Sequence, residues 1–250
     1  MIPKGSIAYR VVASTGLVLI RAFEWGIRRH AGDRIFYEPR EFRWPSRLEG
    51  RWTDIREELD QVLASDLRPP SFESLSEEQA RIVQPDRWRT FFLYAYGHRV
   101  DENCRRCPNT TELVESIPGM TTAMFSILTP GTRLTPHRGP FKGVLRYHLA
   151  LMVPPDDGRC AIRVGGELRT WREGESLVFD DTYEHEAWNE TAAPRVVLFV
   201  DFLRDLPFPL SALNRGMIRL IGASPFVKNI LENLNRLNGR VADAALGTPS

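Results

Sequence analysis

His137, His185 and Arg195 stand in a fixed order within TPHRGP, FDDTYEHEAWNE and TAAPRVVLFVDF. Two histidines on a β-rich segment can hold a ferrous ion, because neutral imidazole is a ligand that iron accepts. An arginine ten residues after the second histidine can meet the far carboxylate of 2-oxoglutarate through two parallel N–H donors. The trio predicts oxygenase chemistry. The usual non-haem iron triad adds a carboxylate two positions after the first histidine. Here that position is Gly139, so the carboxylate is missing.

The elements that must carry these residues are short strands. His137 follows Leu134-Thr135-Pro136 and precedes Arg138-Gly139-Pro140, which sets it where a strand gives way to a tight loop. In Tyr183 to Trp188, strand alternation puts His185 on one face and Glu184 and Glu186 on the other. Ala123 to Leu128, Leu145 to Val153, Ala161 to Val164, Glu167 to Trp171, Ser176 to Phe179, Glu184 to Trp188 and Val196 to Phe202 read as β runs. Pro130-Gly131, Gly165-Gly166, Glu173-Gly174 and Pro194 divide them. Many short strands at close spacing predict a mainly β core over about 120–202, a double-stranded β-helix (jelly roll, cupin-like) with flanking α-helices at both ends.

The flanks read as helices. Before the core, Trp52, Ile55, Leu59, Val62 and Leu63 repeat at helical spacing over Trp52 to Ala64, with further short helices at Ser74 to Val83 and Thr111 to Ser116. Phe91 to Tyr96 is aromatic and strand-like. After the core, Leu213 to Ile221 and Pro225 to Leu237 are helical, and the small polar tail Arg240 to Ser250 is expected to fray. This divides the chain into an N-terminal apolar helical segment (1–40), a central domain (41–206) and a C-terminal helical extension (207–250).

Composition sets the outer bounds. A chain of 250 residues with 42% hydrophobic and 26% charged residues can bury one real core with appendages. A formal net charge of +1 supplies no global field for nucleic acid, and none is expected as a partner. Cys104, Cys107 and Cys160 are an odd number and do not form a disulfide framework, which favours a reducing, cytoplasmic compartment. Cys104-Arg105-Arg106-Cys107 lacks a second ligand pair for zinc. Val11 to Ile20 is an apolar run between Arg10 and Arg21. As a helix it spans roughly 15 Å, about half of a bilayer core, and cannot cross alone. It reads either as a peripheral contact with the inner face of the membrane or as a helix packed on its own domain.

Ser126 to Pro140 (SILTPGTRLTPHRGP), Arg146 to Val153 (RYHLALMV), Thr170 to Trp188 (TWREGESLVFDDTYEHEAW) and Arg195 to Asp201 together resemble the aspartyl/asparaginyl β-hydroxylase family. The likeness reaches back through Trp88 to Gly97 and Cys107-Pro108 to Pro118. It implies a hydroxylase of unactivated C–H bonds using Fe(II), dioxygen and 2-oxoglutarate. Animal members of the family hold iron with two histidines and carry glycine at the carboxylate position; His137, Gly139 and His185 match that pattern. By the same resemblance, Arg195 supported by Ser126 binds the distal carboxylate of 2-oxoglutarate. Arg146 and His148 lie near its other end or the substrate, and Asp181 holds a water at the open iron position.

The resemblance leaves the substrate open among small-molecule, peptide and acyl classes. The first expectation is the β-carbon of an aspartyl/asparaginyl-type residue or a related amino acid. Members acting on such side chains have a basic residue two positions before the Arg146 equivalent, where this chain has Val144. The alternatives are a lipid A fatty-acyl hydroxylase at the inner membrane, whose relatives carry aspartate at the Gly139 position, and a jelly-roll binding protein without catalysis.

Overall fold

Alternating apolar and polar residues in short runs give strands that bury one face or both, and here they pair into two antiparallel sheets. The computed structural model describes residues 23–30, 32–65, 69–75, 81–155 and 158–245. In chain order the helices are α1 (23–30), α2 (Pro45–Glu49), α3 (Trp52–Ala64), α4 (Phe72–Leu75), α5 (Asp101–Arg106), α6 (Pro108–Glu115), α7 (Leu210–Gly222) and α8 (Pro225–Ala245). The strands are β1 (Phe36–Tyr37), β2 (Trp88–Ala95), β3 (His98–Arg99), β4 (Met120–Leu128), β5 (Thr132–His137), β6 (Val144–Met152), β7 (Cys160–Val164), β8 (Glu167–Arg169), β9 (Ser176–Phe179), β10 (His185–Asn189) and β11 (Arg195–Leu203). The larger sheet runs β1-β9-β6-β11-β4-β2-β3 and the smaller β5-β10-β7-β8. Two facing sheets with these crossovers make the expected jelly roll, with helices at both ends.

Side-chain alternation on the larger sheet separates two cores. On β11, Val196, Leu198, Val200 and Phe202 face the helical layer, where they join Leu145, Tyr147 and Leu149 of β6 and Ile55, Leu59 and Val62 of α3. Val197 and Phe199 point the other way, between the sheets, with Met124 and Leu128 of β4 and Ile162 and Ala187 of the smaller sheet. The interior face therefore also receives Ser126, Arg146, His148, Arg195 and Asp201, which share the parity of those residues on their strands.

One buried carboxylate locks the helical layer. Glu58 of α3 accepts hydrogen bonds from the backbone N–H of Asn109 (2.7 Å) and Thr110 (2.8 Å) and from the Thr110 hydroxyl (2.6 Å). These are first-turn donors of α6 that no intrahelical carbonyl satisfies.

Several sequence expectations shift. Leu63 lies on the exposed side of α3 rather than in its apolar face. The helix expected from Thr111 begins at Pro108, whose missing N–H is no loss at a first helical position. The C-terminal helix spans Pro225–Ala245, past Arg240 where the tail was expected to begin. Helix α5, across the Cys-x-x-Cys, was not anticipated. The Cys104 thiol within it and the Cys107 thiol just past its end are buried and free, and burial raises both, Cys107 to about 12, which disfavours their thiolate forms. The Val11 to Ile20 run and part of the Ser74 to Val83 helix lie outside the described residues. No helix among the described residues is long and apolar enough to cross a membrane.

Glu58→Ala strands the buried N–H and O–H donors of Thr110. It is expected to lower unfolding stability by about 2 kcal/mol or more, measured by urea titration. A change of a few tenths would mean that α6 caps itself.

Candidate active site

Strand register brings the two histidines together. His185 and His137 are direct Cα partners across the β10–β5 pair, and their ring centroids stand 4.1 Å apart. His137 Nδ1 lies 2.7 Å from the Thr135 carbonyl and His185 Nδ1 lies 3.0 Å from the Tyr183 carbonyl. A carbonyl only accepts, so each Nδ1 carries the proton and each Nε2 keeps its lone pair. Burial pushes the His185 pKa down to about 3, with His137 and Arg146 adding to the effect, and burial lowers His137 as well. Both rings are neutral near pH 7, the form a metal binds.

The loop that carries His185 is anchored from below. Asp180, fully buried, accepts from Lys142 Nζ (2.6 Å), Arg204 Nη2 (2.8 Å), and the Thr182 backbone N–H and hydroxyl (3.1 and 2.6 Å). Burial alone would raise this carboxyl, but Arg204 and Lys142 hold it below the usual range. Gly139 N–H donates to the Asp181 carbonyl at 2.8 Å, tying the end of β5 to the same loop.

Gly139 itself leaves the space that Asp181 fills. A Cβ built there would lie 2.1–2.4 Å from the Asp181 carboxylate, far inside contact distance. Asp181 Oδ2 pairs with Arg146 Nη2 at 2.9 Å, while Oδ1 is buried with no hydrogen-bond partner. Burial raises this carboxyl to about 6 against the pull of Arg146. The orphaned oxygen at the missing-ligand position suits a metal-bound water. Among the described residues, no set of three or more histidine, cysteine or carboxylate groups forms a metal cage.

Behind the histidines lies a pocket rich in unused donors. Arg195 is 2% exposed, takes part in no ion pair among the described residues, and has its Nε without a partner. Its one side-chain hydrogen bond among the described residues, from Nη1 to the Ser126 carbonyl, is a long 3.4 Å. Burial lowers it to about 10. Its guanidinium lies 4.3 Å over the Trp171 ring, whose Nε1 is also orphaned. His148 stands nearby among Trp171, Phe179 and Phe199 with both ring nitrogens unpartnered. Burial, then Arg195 and Arg146, keep it well below the ordinary histidine pKa. An unpaired buried cation surrounded by idle donors is complementary to an anion. The Ser126 hydroxyl is engaged, accepting from Trp88 Nε1 at 3.0 Å.

At the other end, Arg146 is bidentate on Asp201 (2.9 and 3.1 Å) as well as paired with Asp181. Burial works against its charge, yet the two carboxylates hold its pKa above the usual value. From there a cavity of about 290 Å³ opens outward past His137, His185 and Gly139. Its walls are largely apolar: Phe72, Trp88, Phe92, Met124, and Phe226 and Ile230 of α8.

All seven residues singled out from the sequence converge here, but His148, expected with Arg146 at the far end from Arg195, instead shares Trp171 with Arg195. Missed were Asp201, Trp171 and the α8 wall. Asp201 was open to detection, because it shares strand parity with Arg195 on β11. Trp171 and α8 arrive through long-range packing that no local pattern encodes.

The chain matches the family described as Aspartyl/Asparaginyl beta-hydroxylase over residues 49–205. It is 45% identical over 202 residues to an "Ornithine lipid ester-linked acyl 2-hydroxylase" of Rhizobium tropici, covering 81% of this chain and 72% of the relative. It is 37% identical over 161 residues to the human "Aspartyl/asparaginyl beta-hydroxylase", covering 62% of this chain but only 20% of that protein. A solved prolyl hydroxylase from Trichoplax adhaerens aligns with a TM-score of 0.45 at 14% identity, over 67% of this chain and 81% of that one.

Two outcomes follow from this geometry. Gly139→Asp, which supplies the absent carboxylate, is expected to weaken Mn(II) binding about tenfold or more because Asp181 already fills the space. Adding Asp181→Gly should restore it. Equilibrium dialysis reads both, and tighter binding by the single variant would contradict the packing. His148 stays neutral when folded, whereas its unfolded form takes a proton below about pH 6.5. The unfolded state then binds more protons, so stability falls with acidity through that window. His148→Phe should therefore lose about 2 kcal/mol less than wild type between about pH 7.5 and about pH 5, by urea unfolding at each pH. Equal losses would count against a neutral buried His148.

Proposed function

The chain is a hydroxylase of the aspartyl/asparaginyl beta-hydroxylase family, and on that premise we propose that it uses Fe(II) and 2-oxoglutarate to hydroxylate the 2-position of a lipid acyl chain. The buried Arg195, without a carboxylate partner, carries the cosubstrate half of this reading. A guanidinium fully removed from water is costly unless an anion joins it, and a dicarboxylate supplies one. His137 and His185 would hold the metal through Nε2, and Asp181 Oδ1 would accept from a water beside it. His148 would donate to the same anion as Arg195, and Arg146, already compensated by Asp181 and Asp201, would hold the Asp181 carboxylate in place beside the histidines. When bound, iron and 2-oxoglutarate supply the oxidising power that breaks an unactivated C–H bond with dioxygen.

The residues' own work is to position and to exclude water. Trp171 beneath Arg195 fixes the guanidinium plane. Trp88 orients the Ser126 hydroxyl. The substrate half rests on the outer cavity: Phe72, Phe92, Met124, Phe226 and Ile230 offer an acyl chain an apolar wall that ends at the two histidines. The name and coverage of the Rhizobium tropici relative support the same class. Val144, where a second basic residue would grip an acidic side chain, is consistent with it.

The aspartyl-type substrate remains the second reading, favoured by Arg138, an exposed cation on the rim of the same cavity. Succinate release from 2-oxoglutarate, followed with an ester-linked lipid and with an aspartyl peptide, separates the two. Stimulation by the lipid is expected; stimulation by the peptide alone would transfer the assignment to the second reading. Arg195→Met should reduce succinate release about a hundredfold or more while leaving unfolding stability unchanged or higher, since it removes an uncompensated buried charge. Retained turnover in that variant would overturn the cosubstrate assignment.

A further inference from the structure

Six large apolar side chains are exposed among the described residues, and four of them, Trp25, Phe208, Leu213 and Leu220, fall on α1, the 207–209 turn and α7. These pieces are neighbours. A Cβ at Gly26 of α1 would lie 3.2 Å from Leu210 of α7, and Phe23 of α1 stacks on Phe141 at 6.0 Å. On α7, Leu213, Met217 and Leu220 recur at i, i+4 and i+7 and so share one face, while Asn214 and Gly222 are buried on another.

The same segments carry positive charge. Helix α7 holds Arg215 and Arg219 and no acidic residue. On α1, Arg28 and Arg29 are exposed as well. Arg29, Arg215 and Arg219 enter no ion pair among the described residues, although most other exposed arginines of the domain do. The acidic groups in these segments are Glu24, half-buried, and Asp205.

The buried end of α7 packs beside the outer cavity. His98 Nε2 lies 3.0 Å from the Gly222 carbonyl at the end of α7, and a Cβ at Gly222 would lie 2.9 Å from the Tyr96 carbonyl. The Tyr96 ring meets Phe226 of α8 edge-on at 6.1 Å, and both line the cavity. Helix α7 therefore ends at the cavity wall.

We propose that α1, the 207–209 turn and α7 form a surface that lies on an anionic lipid bilayer beside the mouth of the outer cavity. On α1, Trp25 and Arg29 are one turn apart and so share a face, and α7 carries its apolar stripe on one side and its two arginines round the helix, the polarity and charge that a headgroup boundary accepts. Docking rests on the exposed residues themselves; only the use of the cavity beside it rests on the acyl-substrate reading. It differs from the membrane contact expected of the Val11 to Ile20 run, which lies outside the described residues.

The test is co-sedimentation of the full chain with vesicles of phosphatidylcholine plus phosphatidylglycerol, against phosphatidylcholine alone. Wild type should bind the anionic vesicles and release from them as salt rises. Leu213→Glu with Leu220→Glu should weaken binding about tenfold or more. Arg215→Gln with Arg219→Gln should erase most of the preference for the anionic lipid. All four positions lie outside the proposed active site, so thermal unfolding and hydroxylation of detergent-dispersed lipid should be unchanged. Wild type that sediments with neither vesicle, or variants that bind as wild type does, would overturn the proposal. So would a leucine pair variant that only dissociates a self-associated wild type, because the occupant would then be a second copy. If vesicle binding behaves as expected but dispersed lipid is not hydroxylated, the acyl reading fails and the docking surface stands.

Discussion

Register between β5 and β10 is the constraint on which the site depends. Side chains alternate with period two along a strand, so a one-residue slip of β10 would send His185 outward and bring Glu186 in. The outer face resists that slip. Glu186 pairs with Arg163 at 2.5 Å and with Arg133 at 3.2 Å, and both guanidiniums lie over Trp188 at 5.4 and 5.1 Å. The inner face adds the packing of Ala187 against the apolar core between the sheets. With the register fixed, one backbone carbonyl sets the tautomer of each imidazole and leaves each Nε2 lone pair free.

Electrostatics then divides the interior into satisfied and unsatisfied cations. Lys142 and Arg204 converge on Asp180, and Arg146 is held by Asp181 and Asp201. These pairs hold geometry, since buried charges persist only when paired and hydrogen-bonded. Among the described residues Arg195 has no such partner, and its neighbours His148 and Trp171 keep three ring nitrogens idle. Polar capacity left unused in one place is what a bound anion would satisfy. The contrast between Arg146 and Arg195 also orients that ligand, with the uncompensated charge deep in the sandwich and the compensated one beside the histidines.

Much of this was legible in the sequence. His137, His185 and Arg195 could be read from residue type and spacing, and parity on β6 put Arg146 and His148 on one face. The α3 helix was legible to the residue because its apolar positions repeat at i, i+4 and i+7. Leu63 broke that reading, since hydrophobicity alone does not say on which side of the helix a neighbour lies. Gly139 showed that a carboxylate was absent but not that Asp181 fills its space, which takes a loop anchored by Asp180 to arrange. The apolar wall from α8 was illegible for the same reason: Phe226 and Ile230 reach the cavity only after a long return of the chain.

The central claim is that a metal held by His137 and His185 and a dicarboxylate held by Arg195 share one pocket. Calorimetric titration of 2-oxoglutarate into the protein under anaerobic conditions, with and without Mn(II), tests it most directly. The expected result is binding that tightens when the metal is present, loses that gain in His137→Ala, and disappears in Arg195→Met. Binding indifferent to the metal and to both substitutions would place the dicarboxylate elsewhere and contradict the claim.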